Sequence, residues 1–450
     1  MKSSSLFIAI VLLITASCLA FSMSPYRPYS GEITLQGHLN QNCIPHSGGT
    51  VYLHMDVDAN NFPLPDRAYQ PMNIAVVLDR SGSMADDHKI EHAKQAIDAL
   101  VDRLTTKDYL SIVIYDDRVE TLLPIRRVTD RLYIKRLVDG IFPRSATNLG
   151  GGLIEGYRQL EENFKPEYIH RVILLSDGLA NRGVTDPATL EQLANRYRNQ
   201  NISLSTIGVG LEYNENLMLG LADHGGGNYY FVESPSQLSA IVGHELNGLN
   251  MIVARNARIE LTLGDGVTIN DVIGCDRDRD ADRVVIPIGD FSADEHRDVS
   301  VELRIPEGAG TCHVIAGRIL FDNVSNIPPP STKGFSVNIR YSDDAAELQK
   351  GKDWDTQAKI DLAVSTKNVE HALKELDAGN LPAAEQQFHD AVTQLSSSPA
   401  AINSVAGAGL IQAQVKKLES YRKDLKADST DQKKFKKSVQ YQNYLMKKNK

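Results

Sequence analysis

The sequence predicts an α/β fold: a mostly parallel sheet with one antiparallel edge strand, inserted into a β-sandwich and followed by an α-helical C-terminal region. Three observations carry this expectation. Between residues 73 and 250, short β-rich runs alternate with stretches of helical spacing, the pattern of a parallel sheet covered on both faces. Residues 31–58 and 255–340 instead alternate apolar and polar positions, as half-buried strands do. After Tyr341 the strand pattern stops and apolar residues recur at helical spacing. The expected divisions are 30–70 plus 255–340 for the sandwich, 71–252 for the insert, 345–425 for the helical region and 426–450 for a basic tail. A chain of 450 residues is too long for one ordinary core, so several divisions are expected.

The first twenty residues read as a secretory signal peptide. Lys2 supplies a positive charge, Leu6–Ile14 is apolar, and small residues follow at Ala16, Ser17, Cys18 and Ala20. Cleavage after Ala20 is the first reading; a lipid anchor at Cys18 is the alternative, with Thr15 standing where a bacterial lipobox has leucine. No later stretch is long and apolar enough to span a membrane, so the mature chain is expected to be secreted, periplasmic or held in the cell envelope.

In the first strand region, Ile33 and Leu35 precede the turn signal His46-Ser47-Gly48-Gly49, and Val51, Leu53, Met55 and Val57 follow it. The α/β region has strand runs at Ile74–Leu78, Leu110–Tyr115, Val172–Ser176, Ile202–Val209 and Tyr229–Val232, with Val119–Leu123 as the antiparallel edge. Helical spacing fills Ile90–Leu104, Leu149–Phe164, Leu190–Asn199 and Leu217–Ala222. Near the C-terminus, Gly379-Asn380 stops one helix and Pro382 opens the next. A third helix is expected over Ala400–Leu425, and the last twenty residues are read as loosely held.

Net charge is −9, but residues 401–450 carry +8, leaving −17 on the rest. A solvated basic helix end is the expectation for that segment, with attraction to an anionic surface as the alternative. Aromatic residues do not interleave the basic ones, so nucleic-acid binding is not supported. If the chain is exported, an oxidising compartment favours one disulfide, and Cys275 with Cys312 is the expected pair. Cys43 is then left over.

The chemistry points to oxygen ligands. Asp79 ends an apolar strand, and Ser81 and Ser83 follow at alternate positions. Thr147 precedes a second helix, and Asp177 ends another buried strand. Carboxylates and hydroxyls are hard donors, suited to Mg²⁺, Mn²⁺ or Ca²⁺ rather than to zinc or iron. Open α/β sheets place ligands at these strand ends. Residues 73–250 resemble a von Willebrand factor type A (VWA) domain of the secreted bacterial or inter-α-trypsin-inhibitor heavy-chain-like type. That family carries a metal-ion-dependent adhesion site with the pattern Asp-x-Ser-x-Ser, a distant Thr and a distant Asp. Ser205–Gly210 and Gly226–Phe231 extend the likeness. The resemblance implies a Rossmann-like fold and a divalent cation, Mg²⁺ first, held by Asp79, Ser81, Ser83, Thr147 and Asp177. It also implies a protein partner that offers a carboxylate to the ion. Arg80, between the donors, is read as facing solvent, with attraction of an acidic partner as the other reading.

Other signals do not reach a site. His244-Glu245 has Gly248, not histidine, four residues on, so no zinc protease is indicated. Asp276–Asp282 spaces carboxylates like a calcium loop but lacks its glycine and final glutamate, and reads as a charged hairpin. Ser176 has no Gly-x-Ser-x-Gly elbow around it. No nucleophile–base pair is indicated, so the chain is not read as an enzyme. The first functional expectation is an exported, metal-dependent protein-binding module. The alternatives are an envelope assembly component acting through its C-terminal helices and, last, an enzyme with the α/β domain as scaffold.

Overall fold

The computed structural model describes residues 31–60, 70–144, 146–274, 278–280, 283–324, 330–425 and 429–448. The expected signal peptide with Cys18, and Cys275 of the expected disulfide, lie outside the described residues. Cys43 is buried and unbridged.

The chain opens with strands β1 (Glu32–Leu39), β2 (Cys43–Ile44) and β3 (Gly49–Asn60). The turn before β3 needs Gly48: its φ is +72°, and a Cβ there would stand 2.4 Å from the Ile305 carbonyl oxygen. The chain then enters the α/β region. Its elements are β4 (Met72–Asp79), α1 (Lys89–Arg103), β5 (Tyr109–Tyr115), β6 (Val119–Arg127), α2 (Arg131–Asp139), α3 (Leu149–Glu162) and β7 (Ile169–Ser176). They continue with α4 (Pro187–Arg198), β8 (Ile202–Val209), α5 (Glu215–Gly225), β9 (Gly226–Val232) and α6 (Leu238–Leu249). The strand order is β6-β5-β4-β7-β8-β9, with every pair parallel except β5–β6 at the edge. β4, β7 and β8 are buried along their whole length; β4 and β7 carry the apolar runs Ile74–Leu78 and Val172–Leu175, while the buried Ser203, Ser205 and Thr206 of β8 donate to Asp290, Glu245 and the Met218 carbonyl. Gly156 lets α3 lie close on the sheet; a Cβ there would stand 2.4 Å from Val77 Cγ2.

Eight more strands follow: β10 (Ile252–Leu263), β11 (Thr268–Ile273), β12 (Asp278–Asp280), β13 (Arg283–Ser292), β14 (His296–Ile305), β15 (Thr311–Asn323), β16 (Ser331–Lys333) and β17 (Phe335–Tyr341). With β1–β3 they make two sheets, β11-β14-β3-β1-β16 and β12-β13-β10-β15-β17-β2. Leu35, Val51, Leu53, Met55 and Val57 from one sheet share a core with Ile259, Leu261, Ile286 and Ile315 from the other. The two halves of this sandwich come from either side of the α/β insert. Asp278–Asp280 pairs antiparallel with β13, as the hairpin reading of that acidic stretch requires.

A buried ion network ties the insert to the sandwich. Arg171 on β7 is 2% exposed; its guanidinium donates to Asp290 of β13 at 2.8 Å and to Ser205 at 2.9 Å. Glu245 on α6 lies 3.5 Å from Arg171 and accepts from Ser205, Asn228 and Tyr230. Burial pushes the Glu245 carboxyl up, but Arg171 and these donors hold it below its ordinary value.

The C-terminal region contains α7 (Ala345–Lys350), α8 (Trp354–Asp377), α9 (Leu381–Ser397), α10 (Ala400–Asn403), α11 (Ala408–Asp424) and α12 (Ser429–Lys447). Two expectations change here. The helix expected over Ala400–Leu425 is broken at Ser404–Gly407. Ser404 Oγ bonds Asp355 and accepts from the Gly407 amide, and a Cβ at Gly407 would strike Ala358. The last residues are also not loosely held: α12 docks on the α/β sheet edge. Tyr444 stands edge-on to Tyr229 and its hydroxyl accepts from the Tyr229 amide at 3.1 Å. Lys437 Nζ lies 2.5 Å from Glu215 Oε2 and 3.9 Å from the centre of the Tyr213 ring. Lys433 pairs with Glu212, Lys434 with Glu233 and Lys447 with Glu370. Much of the charge asymmetry is therefore matched within the molecule. No helix among the described residues is long and apolar enough to cross a membrane.

Candidate functional site

The five candidate residues come together at the C-terminal ends of β4 and β7, the adjacent central strands. Asp79 ends β4. Its Oδ1 accepts from the Ser81 amide at 2.8 Å, which curls the loop back over the strand end. Its Oδ2 accepts from Ser176 Oγ at 2.7 Å, across the parallel pair. Ser81 Oγ lies 3.2 Å from Ser83 Oγ, and Ser83 Oγ donates to Asp177 Oδ1 at 2.8 Å. Thr147 sits one residue before the cap of α3, where Asn148 Oδ1 accepts from the Gly151 amide. Asn181 fixes the Thr147 backbone: its Oδ1 accepts from the Thr147 amide, and its own amide donates to the Thr147 carbonyl.

Gly178 shows how tightly the set converges. An added Cβ would stand 3.4 Å from Thr147 Oγ1, 3.6 Å from Asp79 Oδ2 and 3.7 Å from Ser81 Oγ. Oxygens from the Asp79 loop and from Thr147 thus face one small space beside Gly178, and Asp177 joins them through Ser83. A set of two carboxylates and three hydroxyls is the donor chemistry of a hard divalent cation, so the residues fit such an ion.

The electrostatics agree. Burial pushes the Asp79 carboxyl up to about 6, against the pull of the Ser81 and Ser176 hydrogen bonds and with a further push from Asp177. Both carboxylates are fully buried. Such a pair calls for a compensating cation.

Part of that charge comes from the chain, at a residue that sequence reasoning missed. Lys89, the first residue of α1, is buried, with Nζ 2.7 Å from Asp177 Oδ2 and 3.3 Å from the Ser83 carbonyl. Asp87 and His88 just before it take φ of 52° and 55°, a left-handed conformation unusual outside glycine. This turn delivers the lysine into the site. The only local signal was the short distance from Ser83 to Lys89. Ser176, dismissed as a nucleophile, was the other omission; its hydroxyl orients Asp79.

Arg80 does not face solvent. It is 5% exposed; Nε donates to Asp116 Oδ2 at 2.7 Å and Nη2 to Glu120 at 3.1 Å. Asp116 is wholly buried at the end of β5, and its backbone carbonyl accepts from Asn148. Arg80 therefore braces the Asp79 loop against the segment that carries Thr147. Sequence could not pair Arg80 with a residue thirty-six positions on.

The sheet order and the position of this cluster define a class: an α/β domain with its polar site at the central strand ends. Residues 73–244 match the model of the von Willebrand factor type A domain, and this part of the chain is such a domain. Domains of this class typically mediate protein–protein interactions. Among relatives, the chain is 30% identical over 190 residues to the uncharacterized protein YfbK of Escherichia coli, covering 42% of this chain and 33% of that protein. It is 28% identical over 253 residues to the human inter-alpha-trypsin inhibitor heavy chain H3, covering 52% and 27%. The chain thus spans about a third or less of the length of these two relatives. Among solved structures, a von Willebrand factor type A protein from Catenulispora acidiphila superposes with a TM-score of 0.71 at 15% identity, covering 94% of this chain and 98% of that one. The ArnB paralog VWA2 from Sulfolobus acidocaldarius gives a TM-score of 0.54 at 20% identity, covering 90% and 98%. These two likenesses concern the fold alone.

Proposed function

We propose that this protein is an exported, metal-dependent protein-binding module of the adhesion or assembly type. The observation that carries this reading is the convergence of Asp79, Ser81, Ser83, Thr147 and Asp177 around Gly178. Ser81, Ser83 and Thr147 would hold a divalent cation, Mg²⁺ in the first place, through neutral hydroxyls, with Asp79 and Asp177 behind them. Bound there, the ion would keep enough charge to take a carboxylate from a partner protein. Ser176 and Arg80 position the ligands, and Lys89 holds Asp177 as a competing positive charge. Leu179, two residues after Asp177, and Phe142, before the Thr147 segment, expose apolar side chains that suit contact with a protein surface. The N-terminal segment supports export.

The test is calorimetric titration with Mg²⁺ and Mn²⁺, then affinity capture from the source envelope with and without EDTA. Ion binding lost in Asp79→Ala, with one partner retained only when the ion is present, supports the reading. Ion binding unchanged in Asp79→Ala would refute it.

A further inference from the structure

A second polar cluster lies on the sandwich, away from the α/β domain. β3 and β14 pair antiparallel, with His54 opposite Ser300, Asp56 opposite Asp298 and Asp58 opposite His296. Alternation sends Leu53, Met55 and Val57 into the sandwich core and these side chains onto the other face. Helix α8 lies over that face, and its Lys359 Nζ stands 2.8 Å from Asp56 Oδ1. Two aspartates directly opposite on an antiparallel ladder repel each other, so the pair needs positive charge beside it.

His54 points between them. Its side chain is 2% exposed, with Nδ1 3.0 Å from Ser300 Oγ. Nε2 lies 3.3 Å from Asp56 Oδ1 and 3.7 Å from Asp298 Oδ2, yet it makes no hydrogen bond with any described residue. A buried ring nitrogen aimed between two carboxylates without a hydrogen bond is the arrangement of a ligand set. Tetrahedral bonds of about 2.1 Å put neighbouring donor atoms roughly 3.4 Å apart, close to the separations seen.

We propose that His54 Nε2, Asp56 Oδ1 and Asp298 Oδ2 form a second cation site, for a transition-metal ion of the Zn²⁺ type. The imidazole nitrogen separates its preference from that of the all-oxygen set around Gly178. If the His54 Nδ1–H donates to Ser300, Nε2 presents its lone pair to the ion, the usual outer-shell support of a metal-bound histidine. His296 repeats the device: Nδ1 lies 2.7 Å from Asp58 Oδ1, and Nε2 lies 3.7 Å from the same Asp56 oxygen, in reach of a fourth-donor role. Lys359 is the internal competitor. Its side chain is 46% exposed and can swing into water when an ion takes Asp56 Oδ1.

The test is zinc titration of the full chain with excess Mg²⁺ present, using wild type, His54→Gln, Asp298→Asn, Lys359→Gln and Asp79→Ala. The expected result is one zinc ion fewer per chain in His54→Gln and Asp298→Asn, with this ion retained in Asp79→Ala. Lys359→Gln should bind it roughly tenfold more tightly, because a competing charge is gone. Circular dichroism checks folding of the buried variants, and Lys359→Gln, at the surface, decides if they do not fold. The same zinc count in His54→Gln as in wild type, or unchanged affinity in Lys359→Gln, overturns the proposal and leaves the reading of the Asp79 site standing.

Discussion

Lys89 Nζ lies 2.7 Å from Asp177 Oδ2, inside the oxygen cluster at the ends of β4 and β7. A lysine ammonium thus already neutralises part of the charge that would draw a divalent cation. Removing it should strengthen ion binding. Lys89→Met is expected to bind Mg²⁺ or Mn²⁺ about tenfold more tightly, from loss of one nearby like charge. Calorimetry reads this directly. Equal or weaker affinity in the variant would show that Lys89 does not oppose the ion.

Arg80→Ala should destabilise the α/β domain by about 3 kcal/mol, because it leaves Asp116 buried and without its closest cation. Arg144 Nε, 3.9 Å from Asp116 and on a half-exposed side chain, offsets little of this. Urea unfolding at neutral pH measures the loss. A midpoint within error of wild type would mean that the pair contributes nothing net.

His170 gives the molecule a pH dependence of defined sign. Burial pushes its imidazole down to about 4 from an ordinary 6.5; the Lys165 carbonyl hydrogen bond opposes this, and Arg255 adds to it. The unfolded chain therefore takes the proton first as pH falls. Stability is fully present above pH 6.5 and drains away between 6.5 and 4, by up to about 3 kcal/mol. Urea midpoints at pH 7 and pH 5 should differ less in His170→Gln than in wild type. An identical pH dependence in the two proteins would exclude His170 as its source.

Tyr444→Ala should cost about 3 kcal/mol, through lost aromatic packing on Tyr229 and a lost partner for the Tyr229 amide. It should also make residues 429–448 accessible to protease. Limited proteolysis followed by mass spectrometry checks this. Full protection of the segment in the variant would mean that its lysine–carboxylate pairs alone hold the helix.

The Asp79-Arg80-Ser81-Gly82-Ser83 stretch was legible because its oxygens are neighbours in the chain and follow an apolar run. The parallel α/β core was legible because buried strands are apolar on both faces while covering helices are apolar on one. The turns at Gly48 and Gly379 were legible because a positive φ selects glycine. Lys89, Ser176, the Arg80–Asp116 brace and the Arg171–Asp290 tie were not, because each depends on which strand ends or domains are brought together. The basic tail was misjudged for the same reason: composition counts lysines but does not show the carboxylates opposite them.

By itself, then, the sequence determined the local chemistry: which residues carry oxygens, where strands and helices run, and where charge accumulates. These follow from side-chain type and short-range periodicity. Tertiary structure decided the pairings. Register set Asp56 against Asp298 and turned His54 between them. Sheet order brought Thr147 and Asp177 to Asp79, and the strained turn at Asp87-His88 carried Lys89 in beside them. The physical reason is that electrostatic interaction depends on distance and burial through space, which linear order leaves open until the chain has folded.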